Sequence, residues 1–158
     1  MKEPSRERTD YDGGPGSGRL DLLGKYTFKV STVTIYVDSC RKAVERYLPG
    51  NSLEALIKVV LIHELAHLMT HRYCLGSKQD RSDHFWEYTA QCATYACLKY
   101  LGDKEARKVF VRLSPHQPFI YRTWEGLTLF NSHRALHFTK RGNPIGELVH
   151  HMFWFLQR

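Results

Sequence analysis

Apolar positions change period along the chain. In YTFKVSTVTIYV (residues 26–37), Tyr26, Phe28 and Val30 alternate with polar residues, and Val33, Ile35 and Val37 alternate with Thr34 and Tyr36. A period of two is that of a half-buried strand, so the segment predicts one bent strand or a two-stranded unit. From Asp38 the pattern turns helical. Asp38 can cap DSCRKAVERYL, which stops at Pro49-Gly50. Asn51-Ser52-Leu53-Glu54 reads as a capping box with Asn51 as N-cap, opening a helix that should run to about Tyr73. A polar loop, GSKQDRSD, follows. Ser82 or Asp83 caps a long helix, HFWEYTAQCATYACLKYL, ended by Gly102, and Asp103 caps another through about Leu113. Pro115 and Pro118 then break the chain. Residues 119–130 read as helical despite Gly126, and Asn143-Pro144 starts a last helix, with proline at its tolerated first position. The sum is an α+β chain, mostly helical, with a small N-terminal β-sheet. Polar, glycine-rich residues 1–19 form a loose arm, and residues 20–158 one domain.

Composition narrows the class. A hydrophobic content of 42% with 13% aromatics excludes a disordered chain. No apolar core follows the charged start MKEPSRERTD, so no secretory signal is expected, and no apolar run is long enough for a membrane span. Cysteines 40, 74, 92 and 97 form no C-x-x-C pair and read as reduced thiols with packing roles, which suits a cytoplasmic, intracellular protein. The net charge of +7 is uneven: residues 104–158 carry 9 basic and 3 acidic residues. Such a surplus favours an acidic protein surface, a nucleic acid or an anionic membrane, or is simply a solvated face. No nucleic-acid motif accompanies it, and Trp124, Phe153, Trp154 and Phe155 read as core aromatics.

The chemistry concentrates in VVLIHELAHLMTH, residues 59–71. Histidines are costly in an apolar stripe unless something holds them. His63-Glu64-Leu65-Ala66-His67 is H-E-x-x-H. Four residues apart on a helix, His63 and His67 stack on one face, where two imidazoles can hold one Zn²⁺. Glu64, one step round the helix, can reach a water rather than the metal, as a general base should. The apolar flanks supply a dry wall. The competing reading is an amphipathic helix with partly buried, hydrogen-bonded histidines.

A catalytic zinc needs three protein ligands plus water. His71 is about 12 Å along the helix axis from His63, too far to share a metal with both. His84 and Glu87, spaced i, i+3 on the next helix, could each reach back.

The stretch His63–His71, followed by E87-Y-T-A-Q91 and the small-residue-rich C92-A-T-Y-A-C-L98, resembles a gluzincin metallopeptidase, in particular the compact ImmA/IrrE-type proteases. That resemblance covers residues 59–98. It implies a zincin-like fold, zinc at His63, His67 and Glu87, and Glu64 as catalytic base. Ala66 stands where those proteins usually have glycine, and Gln91 where an Asp or Asn orients a histidine ligand. A glutamine can still accept a hydrogen bond from an imidazole N–H. A second resemblance is to SprT-like DNA-associated proteases, whose third ligand is a histidine. His84 and the basic C-terminal third would suit it, but Phe85-Trp86 follow directly where that family has a glycine and a spacer.

The expected activity is zinc-dependent hydrolysis of peptide bonds in a protein or peptide substrate. Tyr121 is the expected oxyanion donor, with Tyr95, His116, Arg122, His133 and His137 as other candidates. The strand at 32–37 would pair with extended substrate. A non-catalytic zinc-fold module that binds a partner is the alternative class, against which the intact Glu64 argues.

Overall fold

The computed structural model describes residues 22–74 and 83–117, apart from the side chains at 73, 74 and 83–85. Expectations for residues 1–21, including the whole N-terminal arm, and for the helices beyond 117 lie outside the described residues. Within them the chain is mostly helical, with one small antiparallel sheet near its N-terminus.

The alternating segment is two strands: β1 (Gly24–Thr27) pairs antiparallel with β2 (Thr32–Ile35), Gly24 opposite Ile35 and Thr27 opposite Thr32. A 3-10 turn, Phe28–Val30, joins them, closed by Ser31 in the left-handed region at φ 49°. The second strand is therefore shorter than the pattern suggested. Helix α1 (Val37–Tyr47) starts so early that Asp38 lies in its first turn and pairs with Arg41 at 2.9 Å instead of capping it.

Helix α2 (Leu53–Met69) starts one residue later than a box capped by Asn51 would. The N-cap is Ser52, whose hydroxyl accepts from the Ala55 N–H at 3.1 Å. Asn51 is drawn away, its Oδ1 accepting from Arg112 at 2.7 Å. Past Met69 the helix widens into a π turn, Thr70–Cys74, so the helical stretch ends near the expected Tyr73 but with altered pairing. Thr70 marks the change. Its hydroxyl donates to Ala66 O at 2.7 Å, and its N–H is shared between Ala66 O and His67 O.

Helix α3 (Asp83–Tyr100) is followed by Gly102 at φ +66°, a conformation most side chains resist. Asp103 caps α4 (Lys104–Leu113), accepting from the Ala106 N–H at 2.9 Å. Proline 115 lies in a closing 3-10 turn, Ser114–His116.

Helix α2 is the axis of the molecule. It touches α1, α3, α4 and both strands, and is buried on most sides, as its nearly continuous apolar sequence requires. The core gathers Leu56, Val59, Val60 and Ile62 of α2, Cys40 and Ala43 of α1, Ala90, Ala93, Cys97 and Leu98 of α3, and Val109, Phe110 and Leu113 of α4. Cys40, Cys92 and Cys97 are buried free thiols, and burial pushes Cys92 up to about 12 and Cys97 up to about 11. No helix of the described residues is long and apolar enough to cross a membrane.

Candidate metal centre

The second half of α2 faces α3, and three donors meet between them. His63 Nε2 and His67 Nε2 lie 3.1 Å apart. Glu87 Oε2, from α3, lies 3.3 Å from His63 Nε2 and 3.6 Å from His67 Nε2. The two imidazole rings stand at 90° and aim the same nitrogen at one point. His67 and Glu87 are buried and His63 is half-buried.

These distances suit a shared ion better than a hydrogen-bonded trio. An N–H···O bond prefers 2.7–3.2 Å, and both carboxylate distances exceed that. Ligands about 2.05 Å from a tetrahedral zinc lie about 3.35 Å from one another. The three separations observed bracket that edge length. Two neutral imidazoles and one carboxylate are also the donor set of a mononuclear hydrolytic centre with an open fourth position. His63, His67 and Glu87 could therefore hold a metal ion.

Burial alone would push the His63 imidazolium down. The adjoining Glu87 carboxylate and the charge of Glu64 outweigh it, and the net shift is upward. Burial likewise raises Glu87, but its interactions with His63 and His67 prevail and hold the carboxyl well below its ordinary range. The pocket is thus built to keep a carboxylate charged in a dry place and to draw positive charge to it.

Glu64 follows His63 on α2 but points elsewhere, because successive helical residues turn by about 100°. It is buried and sits against β1, its Oε1 beside Gly24. His71 is kept out of the trio by the helix rise. Its Nδ1 lies 2.8 Å from Tyr26 Oη, a hydrogen bond from β1 to the π turn, and its ring packs edge-on to Phe28. Phe28 in turn meets Trp86 of α3, so aromatic contacts link the sheet to α3 near the site.

The other expected participants divide. Tyr121, Arg122, His133 and His137 lie outside the described residues, as does the side chain of His84, although its backbone lies in the first turn of α3, one turn before Glu87. Tyr95 packs against Phe110 of α4, and His116 against Tyr47 of α1. Gln91 is buried one turn beyond Glu87, yet its Oε1 meets no hydrogen-bond partner among the described residues, so the bond expected from a histidine is not made there. The sequence reading missed Gly24. Its signal was a glycine at the head of an alternating strand, where glycine is weak unless something approaches closely.

No protein-family model matches the chain, and no curated protein or solved structure matches it either. The functional reading therefore rests on the residues and their geometry.

Proposed function

We propose that the chain is a zinc-dependent metallopeptidase of zincin-like architecture. The observation that carries this reading is the convergence of His63 Nε2, His67 Nε2 and Glu87 Oε2 at separations of 3.1–3.6 Å, with a second acidic residue, Glu64, adjoining but outside the trio. A site for structural metal has no use for that extra buried carboxylate, and a purely apolar core would not tolerate it.

In this reading His63, His67 and Glu87 hold the ion. When bound, zinc supplies Lewis acidity, which polarises a peptide carbonyl and brings water within reach of deprotonation near pH 7. Glu64 accepts that proton and passes it to the departing amine. The apolar flank of α2, with Ile62 and Leu65, excludes bulk water and strengthens these charges. Tyr121 is proposed as the donor to the tetrahedral oxyanion.

The test compares wild type with Glu64→Gln, both loaded with zinc, on a fluorogenic peptide library. Wild type should cleave members of the library. Glu64→Gln should keep its zinc and lose roughly 10²- to 10⁴-fold in kcat. Equal turnover by the two proteins would remove Glu64 from the mechanism. Zinc uptake with no turnover by either would leave a metal-binding module.

A further inference from the structure

Gly24 is the first residue of β1, buried, and its backbone lies on α2 beside Glu64. A Cβ placed there would come 2.5 Å from Val60 Cγ1, 3.0 Å from Glu64 Cγ and 3.1 Å from Glu64 Oε1. The first distance is one that real Cβ atoms essentially never show, and the other two are unusually tight. Gly24 does not take a positive φ. Its lack of a side chain therefore answers to space and not to backbone conformation.

The strand has little room to retreat. Leu23 O accepts from the Tyr36 N–H at 2.9 Å, Gly24 is in register with Ile35, and Tyr26, two residues on, is tied to His71. Ile35 packs on the same core. Strand β1 is thus fastened on both sides of the point where it meets Glu64. The helix backbone is held by packing against α1, α3 and α4. What a side chain at position 24 can displace is the Val60 methyl or the Glu64 side chain.

We infer that Gly24 is a positioning residue for Glu64: its bare backbone forms the wall against which the Glu64 side chain rests, and any larger residue drives the carboxylate from its working position. This rests on the metallopeptidase reading for its consequence in turnover, but the displacement itself does not. An alanine at position 24 needs Glu64 to give by a few tenths of an ångström, and since a misplacement of about 1 Å can cost as much as 10²-fold in rate, a loss of up to about 10-fold is expected.

The experiment uses four zinc-loaded full-length proteins: wild type, Gly24→Ala, Val60→Ala and Gly24→Ala/Val60→Ala. Removing Val60 Cγ1 relieves the worst contact and leaves the two with Glu64. Zinc per chain should stay near one in all four. Gly24→Ala should lower the melting temperature and cut kcat by up to roughly 10-fold with KM within about twofold. Val60→Ala alone should turn over near the wild-type rate. The double variant should regain the melting temperature of Val60→Ala while kcat stays low. Crystal structures of Val60→Ala and the double variant should show the Glu64 carboxylate shifted relative to His63, His67 and Glu87 in the double variant only.

If kcat in the double variant returns to that of Val60→Ala, Gly24 serves strand–helix packing alone and the inference is overturned. An unmoved Glu64 carboxylate overturns it too, whatever the activity. If wild type takes up zinc but cleaves nothing, the peptidase reading fails, and the crystallographic comparison still decides the role of Gly24.

Discussion

Helix α2 has two contrasting sides. Toward α4 it meets Ala106, Val109, Phe110 and Leu113, spaced as a regular helical stripe. Polar groups there stay at the rim: Lys58 donates to Asp103, the Ser52 N–H donates to Glu105 at 3.2 Å, and Arg112 donates to Asn51. Toward α3 the arrangement is inverted. Glu87, Thr89, Gln91 and Thr94 of α3 are buried, and the buried apolar residues between them in sequence are small: Ala90, Cys92 and Ala93. One seam places carbon inside and charge outside. The other encloses charge, which costs more than it returns unless the groups are satisfied together. The α4 seam is thus what a helix needs to stay folded. The α3 seam carries a cost that folding alone does not require, and its three converging donors are the reason it is tolerated.

Metal removal should separate the two seams most sharply. A chelator should abolish turnover and lower the melting temperature, because an ion at 1,000 times its Kd stabilises the fold by about 4 kcal/mol. Differential scanning calorimetry with and without zinc measures this. The α4 seam should behave in the opposite way. Phe110→Ala should cost about 3–5 kcal/mol in urea unfolding while the fraction still folded binds zinc normally. A loss of zinc affinity in the folded fraction would mean that the seams are not separable.

The pH dependence should change sign with the metal. In the metal-free protein the His63 value is raised, so its contribution is full below its ordinary value of about 6.5 and lost as pH climbs through the raised value. The Glu87 value is lowered, so its contribution is present above about 4.5 and lost as pH falls toward the depressed value. The metal-free fold should therefore be firmest at mildly acid pH and weaken toward pH 8. Zinc competes with protons for the same imidazoles, so the loaded protein should gain stability across that interval. Urea midpoints at pH 5.5 and 8 should fall with pH under chelator and rise with pH under zinc, the two curves drawing together at the acid end.

The smallest effects lie at the edges. Asp103→Ala removes the α4 cap and should cost about 1 kcal/mol without changing zinc affinity. His71→Ala breaks the tie to Tyr26, and its zinc content by mass spectrometry should match wild type.

The helical part of this architecture could be read from the chain because its signals are local. Asp103 caps, Gly102 reverses the chain, and α4 repeats its apolar stripe without interruption. The histidine pair was readable for the same reason, since a four-residue spacing fixes a face before any tertiary contact forms, whereas spacing alone left His84 and Glu87 open as the third donor and only the family resemblance favoured Glu87. Long-range competition hid the rest. Ser52 caps α2 because Arg112, 61 residues away from Asn51, engages the neighbouring amide. The choice between one strand and two depended on a single left-handed serine, Ser31. The closeness of Gly24 to Glu64 links residues 40 positions apart, and no pattern within the strand announces it.

Counting zinc tests the central claim most directly. Wild type, His63→Ala, Glu87→Ala and His84→Ala are purified side by side without added metal, their fold is checked by circular dichroism, and zinc per chain is measured by plasma mass spectrometry. About one zinc is expected in wild type and His84→Ala, and almost none in His63→Ala and Glu87→Ala. Zinc retained by folded Glu87→Ala but lost from His84→Ala would move the third ligand to His84. No zinc in wild type, even after zinc is supplied and the excess removed, would contradict the metal centre and return the histidine row to core packing.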